Sequence, residues 1–145
     1  MELAEIGKNI LTNCMNVKPG ENVLIVTDDE KYAIGQALYQ AAKLLKAEAM
    51  LMTMTAREVS GQEPPAVVAA AMKAADVVIC PMKTSITHTR AKIEAAEAGA
   101  RIATMPGITE EMFAMGAMTA DYSRVMALTE QVTDLLTNAN TARIE

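Results

Sequence analysis

The sequence predicts an α/β protein, a three-layer α/β/α sandwich with a mainly parallel sheet of the flavodoxin- or Rossmann-like kind. Three observations carry that reading. Four short apolar stretches, residues 22–27 (NVLIVT), 49–55 (AMLMTMT), 76–80 (DVVIC) and 101–105 (RIATM), recur along the 145 residues. Three of them are almost continuously apolar, as strands covered on both faces must be. Between them lie longer segments with helical periodicity, and helix alternating with strand implies right-handed crossovers over a parallel sheet.

Each element has its own local signal. Residues 2–15 place Leu3, Ile6, Ile10 and Leu11 on one stripe, and Pro19-Gly20 then turns the chain into the first strand. A helix over 31–46 follows Asp28 and Asp29, either of which suits a cap. The second strand alternates more than the others and belongs nearer an edge. A helix over 65–75 begins after Pro64-Pro65, proline being suited to a first turn. The next, 89–98, ends at Gly99, where a left-handed cap is expected. Thr109 caps a helix to Ala117, with Glu110 and Glu111 favourable in its first turn. A last helix spans 122–138. Residues 1–139 thus form one α/β domain. Residues 140–145 form a tail or the start of a linker, and Ala142-Arg-Ile-Glu145 reads as the onset of a further strand.

Composition narrows the function classes. The chain carries 13 basic and 18 acidic residues, a formal charge of −5. With no Lys/Arg run and no aromatic platform, nucleic acid is not an expected partner. No apolar run approaches the ~20 residues that cross a bilayer, and no membrane association is expected. The start, Met1-Glu-Leu-Ala-Glu, lacks the basic-then-apolar order of a signal peptide. Cys14 and Cys80 share no CxxC spacing and read as reduced core thiols, so the expectation is a cytoplasmic protein. Twelve methionines against a single Phe point to an adaptable core. Met112, Met115 and Met118, at helical spacing, suit an interface with another domain or a second copy, which makes a homodimer a further expected partner.

The segment Lys83-Thr-Ser-Ile-Thr-His-Thr-Arg90 concentrates the chain's polar chemistry between an apolar strand and a helix. It holds the only histidine, which rules out a multi-histidine metal centre built from this chain. In a 2-1-3-4 strand order, the carboxyl ends of strands one and three frame a crevice. Asp28, Asp29 and Glu30 would line one side, and Thr84, Ser85, Thr87, His88 and Arg90 the other. Hydroxyls and N–H groups at the start of the Thr89 helix, with Arg90, suit a carboxylate or phosphate. No catalytic residue and no metal ligand is assigned. Gly-rich phosphate loops are missing. The acidic trio resembles that of a receiver domain's Mg²⁺ pocket, but the resemblance fails where the third strand ends in Cys80-Pro81 instead of a phospho-accepting aspartate, and a receiver domain is not expected.

Three segments together carry a family likeness: Asn16-Val-Lys-Pro-Gly-Glu-Asn-Val-Leu-Ile25, Lys83-Thr-Ser-Ile-Thr-His-Thr-Arg-Ala91 and Ala98-Gly-Ala-Arg-Ile-Ala-Thr-Met-Pro-Gly-Ile-Thr109. In order and spacing they resemble the N-terminal domain of the leucyl aminopeptidase/aminopeptidase T family of thermophilic-type metallopeptidases. The resemblance implies a longer parent that removes N-terminal residues from peptides. It also implies divalent metal ions held by Glu, His, Tyr and Asp in a C-terminal domain that no segment here matches. This chain would then be a non-catalytic wall of the substrate entrance, with peptide substrate and the C-terminal domain as its partners. Two alternatives stand beside it. One is a free-standing α/β module for a small anion. The other is the same domain of a related iron-dependent, ring-cleaving dihydroxypyridine dioxygenase, which shares the two-domain plan.

Overall fold

The computed structural model describes residues 3–145. Its elements are α1 (Leu3–Asn13), β1 (Asn22–Asp28), α2 (Tyr32–Leu44), β2 (Glu48–Met54), α3 (Ala66–Ala74), β3 (Val77–Met82), α4 (Arg90–Glu97), β4 (Arg101–Pro106), α5 (Glu110–Ala114), a 3₁₀ turn (Gly116–Thr119) and α6 (Tyr122–Thr137). The four strands form one parallel sheet in the order β2-β1-β3-β4. The fold is the expected three-layer α/β/α sandwich.

Two apolar cores lie on the two faces of the sheet. On one, Ile6, Ile10 and Leu11 of α1 and Ile34 and Leu38 of α2 pack over Val23, Ile25, Val77 and Ile79, with Phe113 closing the end. On the other, Val68 and Met72 of α3 and Ala91 and Ala95 of α4 cover Leu24, Val26, Val78 and Cys80. Successive strand residues point to opposite faces, so β1 and β3 must be apolar throughout. Both are buried along almost their whole length. The flanking strands β2 and β4 are only partly buried, which agrees with the edge position expected for the second strand.

Small residues set the distance between layers. A Cβ at Gly7 would stand 3.0 Å from that of Ala41, so α1 and α2 cross closely there. A Cβ at Gly35 would come within 2.8 Å of the Thr27 side chain, which fixes how near α2 lies to β1.

Several local expectations shift. The helix assigned from residue 2 begins on residues outside those described. The helix expected from 31 starts at Tyr32, and neither aspartate is its terminal cap; Lys31 holds that position without a side-chain bond. Pro65 is the residue before α3 rather than its first member. The Thr109 helix ends at Ala114 and hands over to the 3₁₀ turn, because Gly116 takes a positive φ of 69° that an α-helix does not allow. Strand β3 runs on through Pro81 to Met82. Ala142–Glu145 is not a strand and is wholly exposed, since a strand needs a neighbouring ladder to satisfy its backbone. Both cysteines are free, but only Cys80 is a core thiol; Cys14 is exposed at the end of α1. Among the described residues, no helix is long and apolar enough to cross a membrane.

Candidate functional site

The site is built where two central strands part. The β1–β3 ladder is in register at Val23–Val77, Leu24–Val78 and Ile25–Ile79 and goes no further, although both strands continue. Pro81 lacks the N–H that a ladder would use. Its carbonyl accepts instead from the Thr27 hydroxyl at 2.9 Å. The strands separate beyond this point, and the order changes direction across it, which makes it the switch point of a doubly wound sheet.

Asp28 closes the gap. Its side chain is wholly buried, and its carboxylate accepts three backbone N–H groups: Glu30 at 3.1 Å, Lys31 at 3.0 Å and, across the gap, Lys83 at 2.6 Å. Hydrogen bonds to an ionised acceptor are about twice as strong as neutral ones, so this residue pins the two loops together. Asp29 is exposed and ties β1 to the end of β2, accepting the Ala56 N–H at 2.9 Å. Above them, Lys83 Nζ meets Glu30 Oε1 at 2.8 Å. That hydrogen bond, then the Glu30 charge, then that of Glu58 hold the Lys83 ammonium above its usual range.

The opposite loop is a chain of hydroxyls. Ser85 Oγ donates to Thr87 Oγ1 at 2.9 Å and accepts the Thr87 N–H at 3.2 Å; Thr87 Oγ1 lies 2.9 Å from Thr104 Oγ1 on β4. The Ser85 N–H donates to Ser60 Oγ at 3.2 Å, and the Ser85 carbonyl accepts from Gly61, so the 55–63 loop lies over this one. The Thr84 hydroxyl is buried without a hydrogen-bond partner. Thr89, expected as the first residue of its helix, is instead the cap of α4, accepting from the Lys92 N–H at 3.3 Å. His88 and Arg90 are exposed. The structure therefore gathers Asp28, Thr84, Ser85 and Thr87 around the switch point and leaves His88 and Arg90 on the surface beside it.

One participant was not legible in the sequence. Glu63 places its carboxylate on the first turn of α4, accepting the N–H groups of Arg90 at 2.7 Å and Ala91 at 3.3 Å. The anion position expected at this helix start is thus filled by the chain's own carboxylate, where dipole and open N–H groups favour a negative charge. Glu63 lies well upstream of α4, and no local pattern announces such a contact. Nearby hollows are small: about 180 Å³ between Glu30, Lys31, Ile34 and Thr109, and about 280 Å³ beside Glu63, Arg90 and Glu94. A hollow of about 620 Å³ lies elsewhere, against Met50 and Met52 at the β2 edge and Ala71 and Ala75 of α3. Among the described residues, no group of three or more His, Cys, Asp and Glu is placed to hold a metal ion.

Fold and site together define a doubly wound α/β domain with a braced switch point. Comparison with known proteins narrows the class. The family model for 2,5-dihydroxypyridine 5,6-dioxygenase (NicX) matches residues 2–145, and the chain belongs to that family. Among solved structures, the 2,5-dihydroxypyridine dioxygenase of Pseudomonas putida KT2440 superposes with a TM-score of 0.58 at 19% identity. That match covers 72% of this chain and 33% of the dioxygenase, so the chain spans about a third of that enzyme's length. At this identity the likeness speaks for the fold. Wild-type AmpT from Thermus thermophilus gives a TM-score of 0.47 at 14% identity, covering 72% of this chain and 35% of that one. No curated protein matches.

The family assignment overturns the aminopeptidase reading of the sequence, and with it the metalloprotease and hydrolase assignment. The physical reason lies in what the shared segments do. Asn16, Gly20, Gly99 and Gly107 all hold positive φ angles in turns, Thr109 caps a helix, and Arg101 reaches back to Glu21 Oε2 at 2.7 Å and to the Met15 carbonyl. These residues build the frame. A likeness carried by frame residues reports the fold and does not separate two chemistries placed on it.

Proposed function

We propose that this chain serves as the α/β domain of a ring-cleaving dioxygenase acting on 2,5-dihydroxypyridine or a close relative. The family match along residues 2–145 is the observation that carries the reading. In it, the chain supplies structure and substrate access rather than the oxidative centre. The resemblance drawn from the sequence implies iron in such enzymes. The residues present do not fit an iron site: the one histidine is exposed, and the buried Asp28 spends its carboxylate on backbone N–H groups. Any such ion belongs, in this reading, to residues outside this chain. The part left to Thr84, Ser85, Thr87, His88 and Arg90 is one wall of the ring's path. The hydroxyl chain and the Asp28 bridge hold that wall rigid, while His88 and Arg90 present a donor and a cation to an anionic phenolate ring.

The test is ring cleavage by the protein purified from its native source, supplied with Fe(II) and oxygen. Loss of 2,5-dihydroxypyridine absorbance with matching oxygen consumption is expected. A native protein that consumes neither under anaerobic reconstitution followed by oxygen addition would overturn the reading.

A further inference from the structure

Two side-chain atoms near the switch point are shut off from solvent and have no hydrogen-bond partner among the described residues: Arg57 Nε and the Thr84 hydroxyl. Arg57 follows β2 and Thr84 follows β3, the strands on either side of β1, and all three run parallel. Both residues therefore leave the sheet at its carboxyl end, where Asp28 lies. Their chain neighbours lace the two loops to the crevice. Ahead of Arg57, the Ala56 N–H donates to Asp29 at 2.9 Å; behind it, the Glu58 charge acts on the Lys83 ammonium. Next to Thr84, the Ser85 N–H donates to Ser60 Oγ at 3.2 Å, and the Ser85 carbonyl accepts the Gly61 N–H at 2.8 Å. Arg57 and Thr84 thus stand in stretches fixed on either side.

A buried donor without an acceptor loses its hydration and gains nothing in return. Arginine cannot escape that cost by shedding its proton. Among the described residues, no carboxylate comes within ion-pair reach of the Arg57 guanidinium. The acids nearby are committed elsewhere: Asp28 and Asp29 to backbone N–H groups, and Glu30 to Lys83.

What is missing is an acceptor, and its kind follows from the donors. One edge of a guanidinium, Nε with an Nη, matches the two oxygens of a carboxylate, and a hydroxyl adds a third donor. Asp28, Asp29, Glu30 and Glu58 already outnumber Lys31, Lys83 and Arg57 at this end, so a singly charged anion suits it better than a doubly charged phosphate. We propose that Arg57 and Thr84 form a binding site for a small planar carboxylate, seated between the 55–63 and 83–90 loops. The site is distinct from the α4 start, which Glu63 fills, and from His88 and Arg90 on the surface. It requires neither iron nor ring cleavage, and it stands or falls apart from the dioxygenase reading.

NMR of the whole chain, titrated with acetate near neutral pH, tests this. Ionic strength is held constant with chloride, because salt alone screens charge. The Arg57 Nε–H signal, identified by its loss in Arg57→Lys, should shift and saturate with acetate and stay in place with chloride. The melting temperature should rise in step. Arg57→Lys keeps the charge but loses the fork, and should weaken acetate binding at least about fivefold. Thr84→Val should weaken it as well. Without ligand that variant should melt at the native temperature or higher, since it removes an unpaired hydroxyl and keeps the shape. An Nε–H signal that ignores acetate, one that moves equally with chloride, inorganic phosphate binding tighter than acetate, or acetate binding untouched by both variants would each overturn the proposal. So would a ligand-free Thr84→Val chain that melts lower, because its hydroxyl would already have a partner.

Discussion

The Asp28 carboxylate and the Lys83 N–H meet at 2.6 Å across the point where β1 and β3 part, and that bond closes the crevice a doubly wound sheet would otherwise leave open. Asp28→Asn tests its weight. Both carboxylate oxygens accept N–H groups, so an amide nitrogen placed on either side faces a donor with a donor. Leaving buried donors unsatisfied costs about 1–3 kcal/mol each, and the variant should lose about 2–4 kcal/mol. Urea denaturation reads this directly. A midpoint within error of the native protein would show that the bridge carries no stability.

Gly35→Ala probes the spacing between α2 and β1. The added methyl would stand 2.8 Å from Thr27 Cγ2, and Thr27 is held by its bond to the Pro81 carbonyl. Overpacking costs about 1–3 kcal/mol, against about 1 kcal/mol gained in helix propensity. A net loss of about 1 kcal/mol is expected by denaturation. A stabilised variant would mean that the layers yield more easily than their contacts indicate.

The two thiols should differ sharply. Burial pushes Cys80 up to about 12 from an ordinary value of 9.0. A group whose folded value is raised adds stability that is present below the unfolded value and lost as pH rises through the folded one. The thiol's contribution is therefore complete below about pH 9 and fades toward pH 12. At pH 8 a thiol reagent should label Cys14 and spare Cys80, with both reacting in denaturant. Equal labelling in the folded protein would contradict the buried placement.

His88→Ala bears on the proposed wall. His88 is exposed, so folding stability should change by less than about 0.5 kcal/mol. In the intact enzyme, ring turnover should fall several-fold, mainly through KM, while metal content stays unchanged. Steady-state kinetics with metal analysis decides it; unchanged kcat and KM would remove His88 from the substrate's path.

Strand by strand, the sheet was readable because burial on both faces demands continuous apolar runs, and β1 and β3 show them without help from the rest of the chain. The cap at Thr109 was readable for a similar reason, since it acts within its own first turn. The functional class was misread because two of the three segments that carried the likeness supply turns, a cap and a brace, and residues of that kind report the fold without separating two chemistries placed on it.

The sequence by itself determined the α/β class, the strand positions, the edge character of β2 and the concentration of polar chemistry in residues 83–90. These follow from periodicity and local capping, which act over a few residues. Only the tertiary structure decided that Asp28 would spend its charge on Lys83 and that Glu63 would fill the start of α4. Each of these depends on which distant segments the crossovers bring together, and no local pattern encodes a contact made across 27 or 55 residues.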